Sequence, residues 1–253
     1  MPNPEFGIQN SIPGIKIYII AAIICMAVFL PTAIFAADPV EEYSFNVGDF
    51  TSIRIQDNVN AVYHCSTDST AVVTYRSDPD FENAFIFTNH DGNLKIQVTT
   101  EDVSKPGLPT IHIYSKRLDK AENYSDFHLE IIDPAPTSHF TASLIGNGSI
   151  TARGVNATSI NARITAGMGN INIAGKCDNA EYRMTGTGTI NASDMKAGSV
   201  VCKILGGGTI YCAPVKLLKI RGIGSTRIIY SGNPAIKRSG GGKIIKASCS
   251  PSD

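Results

Sequence analysis

The 253-residue sequence has no surplus of either charge: 22 Lys and Arg balance 22 Asp and Glu. The balanced total leaves no net positive charge to neutralise a phosphate backbone, so nucleic acid is not expected as a partner. Charged residues make up 17% of the chain and hydrophobic ones 43%, the balance of an ordinary globular protein and not of a disordered or collagen-like one. There is no CxxC pair and no His/Cys cluster, so a metal site has no ligand spacing to rest on. The GxSxG turn of a serine nucleophile is missing too. The five histidines, His64, His90, His112, His128 and His139, never fall two to four residues apart, and they read as strand-surface and turn residues. Neither a metal nor a cofactor is expected.

The long apolar run from Ile17 to Ala36 follows Lys16 and stops at the small residues Ala36 and Ala37. It reads as a signal peptide, residues 1–36. Two alternatives stay open. A membrane anchor is one, since about 20 apolar residues can span a bilayer, although Pro31 lies near the end of the run and the acidic stretch Asp38 to Glu42 follows. The other is lipid attachment at Cys25, although Ile24 stands where that pattern needs a small residue. Export leaves Cys65, Cys177, Cys202, Cys212 and Cys249, an odd number for an oxidising compartment, so at least one thiol is free or pairs outside the chain.

The second half repeats Gly-x-Gly followed by a small polar residue, usually with Ile next. The copies carry Gly146 and Gly148, Gly167 and Gly169, Gly186 and Gly188, Gly206 and Gly208, Gly222 and Gly224, and Gly240 and Gly242, with intervals of 21, 19, 20, 16 and 18 residues between first glycines. Residues between the pairs alternate with period two, the signature of strands. Ile150, Ile171, Ile190, Ile210, Thr226 and Ile244 are expected to share one inward slot. A second strand precedes each pair, as in Ala180, Tyr182 and Met184, giving two short strands and two turns per repeat. The first inter-glycine segment carries an extra residue, read as a bulge or longer turn. No such unit buries its apolar face alone, so the repeats must stack as a parallel β-solenoid, with glycines at the tight corners. A phosphate-cradling glycine loop is excluded, because no helix pattern follows any copy.

The first half is strand-rich without the repeat. HDGNL, His90 to Leu94, reads as a hairpin turn, and SKPGLP, Ser104 to Pro109, as a loop. Asp133, Pro134 and Pro136 mark the best boundary, which divides the chain into a β-rich part at 37–135, a solenoid at 136–248 and a polar tail at 249–253.

Enzymes on such scaffolds need carboxylates or cations converging from adjacent coils. The repeat carboxylates Asp178, Glu181 and Asp194 share no slot, and inward Cys202 and Cys212 read as small core residues. No catalytic residue is therefore assigned, and a carbohydrate-active enzyme remains the alternative. The outward slots are polar. Thr151, Asn172, Asn191, Tyr211 and Arg227 are placed in one column, with Ser149, Asn170, Thr189, Thr209 and Ser225 beside it. Such an array could bind a carbohydrate through amides and hydroxyls, with Tyr211 as a stacking platform, or could serve solubility alone.

These Gly-x-Gly-polar-Ile strands after a β-rich lead, and the closing Ile229-Tyr-Ser-Gly-Asn-Pro234, resemble the GIN-domain family of autotransporter adhesin head domains over roughly residues 45–248. The resemblance implies a right-handed parallel β-helix and an exported protein of a Gram-negative bacterium, in the periplasm, on the outer membrane surface or outside the cell. It also implies adhesion to glycans, envelope components or proteins, with membrane contact only through an uncleaved leader, and it brings no catalytic residues. The middle residues here, Asn147, Met168, Thr187, Gly207, Ile223 and Gly241, replace the family's commoner serine. Any ligand contact made by those serines is in doubt.

Overall fold

The structure, a computed structural model, describes residues 40–247 except Ser69 and Val103. The expected signal peptide, Cys25, Cys249 and the polar tail lie outside the described residues. Every strand pairing described below lies within residues 40–247, which hold the described core.

The first half supplies β1 (Glu41–Asn46), β2 (Ser52–Ile55), β3 (Ala61–Cys65), β4 (Val72–Ser77), β5 (Phe85–His90), β6 (Asn93–Val98), β7 (Ile111–Ser115), β8 (Lys120–Asn123) and β9 (His128–Ile132). β5 and β6 form the hairpin expected from HDGNL, and Asp91 and Gly92 between them both have positive φ, as a type I′ turn requires. The second half supplies β10 (Thr137–Ile145), β11 (Ser149–Ala166), β12 (Asn170–Met184), β13 (Thr189–Ile204), β14 (Thr209–Gly222), β15 (Arg227–Tyr230), β16 (Ala235–Gly240) and β17 (Lys243–Lys246). All belong to a 17-stranded sheet wound as a β-solenoid of about 6 turns.

β8 pairs in parallel with β10, and β9 with β11, so the ladder crosses residues 133–136 without a break. The order of the coils does not follow the chain. β2 lies between β6 and β8, and β3 between β7 and β9. The first coil in sequence is thus inserted between two made later. Beyond β7 the stack ends in antiparallel strands, with β4 on β7 and β1 on β4, which cover a parallel edge that would otherwise invite pairing with another chain.

Each repeat bends more often than the two-strand reading allows. Within β11 the buried positions are Ile150 and Ala152, then Val155 and Ala157, then Ile160, Ala162 and Ile164. The alternation slips by one residue twice, and each slip turns the strand so that the next stretch also faces inward. A register shift between Ala152 and Val155 marks the first bend and absorbs an extra residue of the longest repeat.

The inward isoleucine column also needs a correction near its end. It runs Ile150, Ile171, Ile190, Ile210, Ile228, Ile244, with Ile228 where Thr226 was expected. Burying one such side chain contributes about 2 kcal/mol. The cause lies at the corners. Gly222 stacks on Ile204 as the last residue of β14, and Gly240, the last of β16, stacks on Gly222, while a side chain on Gly224 would meet the carbonyl of Gly206. Copy five is therefore two residues out of phase. Thr226 is buried at the corner instead, and its hydroxyl donates to Gly206 O at 2.9 Å.

Candidate binding surface

Parallel pairing places Thr151, Asn172, Asn191 and Tyr211 in one outward column, one rung of about 4.8 Å apart. Arg227 does not join them. It pairs with Thr209, and Ile229 is the neighbour of Tyr211. Arg227 thus joins the adjacent column of Ser149, Asn170, Thr189 and Thr209, which runs on to Lys243, for the same two-residue reason that displaced Thr226.

Both columns are partly committed to the protein itself. Ser149 Oγ lies 2.7 Å from His128 Nδ1, and Asn191 Oδ1 accepts from Ser193 N and Oγ at 3.3 and 2.8 Å. Among the described residues the side chains of Thr151, Asn172 and Tyr211 make no hydrogen bond to protein. Thr151, Asn172 and Asn191 line a shallow depression of about 350 Å³, with Arg153 and Asp194 at its margin. Arg153 is held by Glu130 at 2.5 Å. What remains is a strand face of amide and hydroxyl groups with an aromatic ring, suited to hydrogen bonding and stacking.

A second outward column was not read from the sequence. On the other long face, Lys95, Arg54, Glu122, Ser143, Arg163, Arg183, Lys203 and Arg221 follow one another rung by rung. Glu122 is buried and takes Arg54 at 2.6 Å, Lys120 at 2.9 Å and Arg163 at 3.7 Å. Burial pushes its carboxyl upward, but the hydrogen bonds from Lys120 and Arg54 outweigh that and hold it below the usual carboxylate range. Glu181 plays the same part further on, taking Arg183 at 3.1 Å and Lys203 at 2.7 Å. The signal available was a cation shortly before each of three successive glycine pairs, visible once the repeats are aligned.

Two histidines far apart in sequence meet. His64 Nε2 lies 3.1 Å from His112 Nδ1, and the His64 ring stacks on Tyr114. Burial, and next the neighbouring His112, lower the pKa of His64. Among the described residues no group of three or more His, Cys, Asp or Glu gathers as a metal site. Cys177, Cys202 and Cys212 are buried, unpaired core residues.

Comparison with known proteins gives one family and a set of related folds. Residues 49–234 match the family described as "Putative auto-transporter adhesin, head GIN domain". A crystal structure described as a putative adhesin from Bacteroides fragilis superposes with a TM-score of 0.72 at 20% identity, covering 83% of this chain and 98% of that one. One described as a putative lipid binding protein from Parabacteroides distasonis gives 0.65 at 20% identity, covering 83% and 97%. A further putative adhesin from that organism gives 0.60 at 19% identity, covering 83% and 98%. At these identities the likeness is one of fold. No curated protein matches the sequence.

Proposed function

This chain belongs to the GIN-domain family of auto-transporter adhesin heads, and on that premise we propose that it is an exported, non-enzymatic binding module of the bacterial cell envelope. Its ligand is a hydroxyl-rich glycan taken along the Thr151, Asn172, Asn191 and Tyr211 column. The observation that carries this reading is the row of side chains at successive rungs, three of them without a protein partner among the described residues, beside a shallow depression. A repeating ligand laid along the stack can meet equivalent groups at each rung, so that weak hydrogen bonds add up. Adhesin names among the structural neighbours are consistent with such a role, and the lipid-binding name of another widens the candidate envelope components.

The test is a binding screen of residues 39–253 against glycans and envelope extracts, with a Tyr211→Ala, Asn191→Ala variant alongside. Binding that the variant loses supports the reading. Binding that survives in the variant removes the ligand from this column, and turnover of a bound glycan would move the protein to the carbohydrate-active class.

A further inference from the structure

The neutral total hides a strong polarity along the stack. Residues 195–247 contain ten Lys and Arg and no Asp or Glu, whereas residues 40–194 contain nineteen Asp and Glu against eleven Lys and Arg. The last coils thus carry a surplus of ten positive charges, and the rest a surplus of eight negative ones. On the face that bears the cation column, this end presents Lys203 and Arg221 on adjacent rungs, with Lys219 and Lys237 paired beside them. Glu181 answers Lys203. Among the described residues Lys219, Arg221 and Lys237 have no carboxylate partner.

Two large aliphatic side chains stand next to these cations, Leu205 at 70% exposure and Ile223 at 78%. Their amides donate to carbonyls one rung back, Leu205 to Met184 at 2.8 Å and Ile223 to Ile204 at 3.0 Å. They therefore stand on adjacent rungs, each two residues beyond a cation of the column. Arg183, Lys203 and Arg221 share a groove of about 260 Å³ with Ile204 and Leu205. Neither the core nor the corner requires these aliphatics to face water, and exposed apolar groups ringed by cations mark an interaction surface.

We infer that this basic end docks on an anionic lipid surface, with the lysines and arginines meeting headgroup phosphates and Leu205 and Ile223 entering the boundary with the acyl chains. Charge attraction alone binds a membrane weakly, and apolar insertion supplies the second contribution that holds a protein there. A soluble acidic polymer would satisfy the cations but has no use for the aliphatic pair. The surface lies on a different face from the polar column, so it stands or falls independently of glycan binding.

The test is flotation of residues 39–253 with vesicles of phosphatidylglycerol and phosphatidylcholine, against vesicles of phosphatidylcholine alone. The anionic vesicles should capture the protein, and about 0.5 M salt should release it. Lys219→Glu with Arg221→Glu should weaken capture by roughly tenfold or more, and Leu205→Ser with Ile223→Ser by several-fold, with circular dichroism showing that each variant is folded. Tyr211→Ala with Asn191→Ala should leave capture unchanged. Equal capture by uncharged vesicles would overturn the inference without recourse to any variant. So would alginate binding that the Leu205→Ser, Ile223→Ser variant retains in full while anionic vesicles are ignored, which would assign the surface to an acidic polymer.

Discussion

The Arg54 guanidinium lies 2.6 Å from the Glu122 carboxylate, 68 residues further along the chain. The two stand on adjacent rungs, β2 and β8, only because the first coil is inserted between coils formed later. With Lys120 and Arg163 also on Glu122, this one carboxylate ties together three rungs of the stack.

Replacing Glu122 by Gln leaves that cation cluster without its counter-charge. The three cations are each about a third exposed, so the expected loss is about 2 kcal/mol, less than for a fully buried pair. Because the folded carboxyl titrates below its ordinary value of 4.5, its stabilisation is complete above that pH and is lost as pH falls through the folded value. Urea denaturation should show the wild type losing its advantage over Glu122→Gln in acid, and a pH-independent difference would refute the linkage.

Gly188→Ala should destabilise more than Gly107→Ala. A Cβ at Gly188 would overlap the carbonyl oxygen of Gly169 on the previous rung, although the backbone there needs no positive φ. At Gly107 the φ of 83° is unfavourable for alanine but nothing lies within 4 Å, so the cost is the dihedral one of about 1–2 kcal/mol. Thermal melts of the two variants decide the order; equal losses would mean the corner can open.

Native thiol labelling separates the cysteines. Burial, then Asp178, pushes the Cys177 thiol up to about 11. The hydrogen bond with Cys212, then burial, raises Cys202 well above the ordinary thiol value. Iodoacetamide at pH 8 should modify the half-buried Cys65 in the folded protein and reach Cys177, Cys202 and Cys212 only in denaturant, as read by peptide mass spectrometry.

The Tyr182 hydroxyl is buried with no hydrogen-bond partner among the described residues. Tyr182→Phe keeps the ring and removes the orphan, so stability should rise by about 1 kcal/mol. A clear fall in melting temperature would show that the hydroxyl has a partner in solution.

Much of the fold was legible because local chemistry dictates it. The alternation of Ile150 and Ala152 with polar neighbours, the recurring glycine pairs and the Asp91-Gly92 turn identify strands, corners and a hairpin. The polar column was half legible: Thr151, Asn172, Asn191 and Tyr211 could be aligned by counting from a glycine pair, and Arg227 could not, because Gly222 stacks on Ile204. The charge polarity was present in the linear sequence throughout. It was hidden by a balanced total.

Taken alone, the sequence determined which residues face inward, since a period of two assigns alternate side chains to opposite faces wherever a strand runs straight. Only the tertiary structure decided the order of the coils and the register between them, and hence which outward side chains become neighbours. Those choices depend on contacts between segments far apart in the chain: a carbonyl that leaves no room for a Cβ, a corner that drops two residues, a carboxylate that draws Arg54 and Arg163 toward it from either side. Short strands with the same alternation bear no local mark of the strand they will pair with, which is why the insertion of β2 and β3, the meeting of His64 with His112 and the cation column emerge only when the stack is complete.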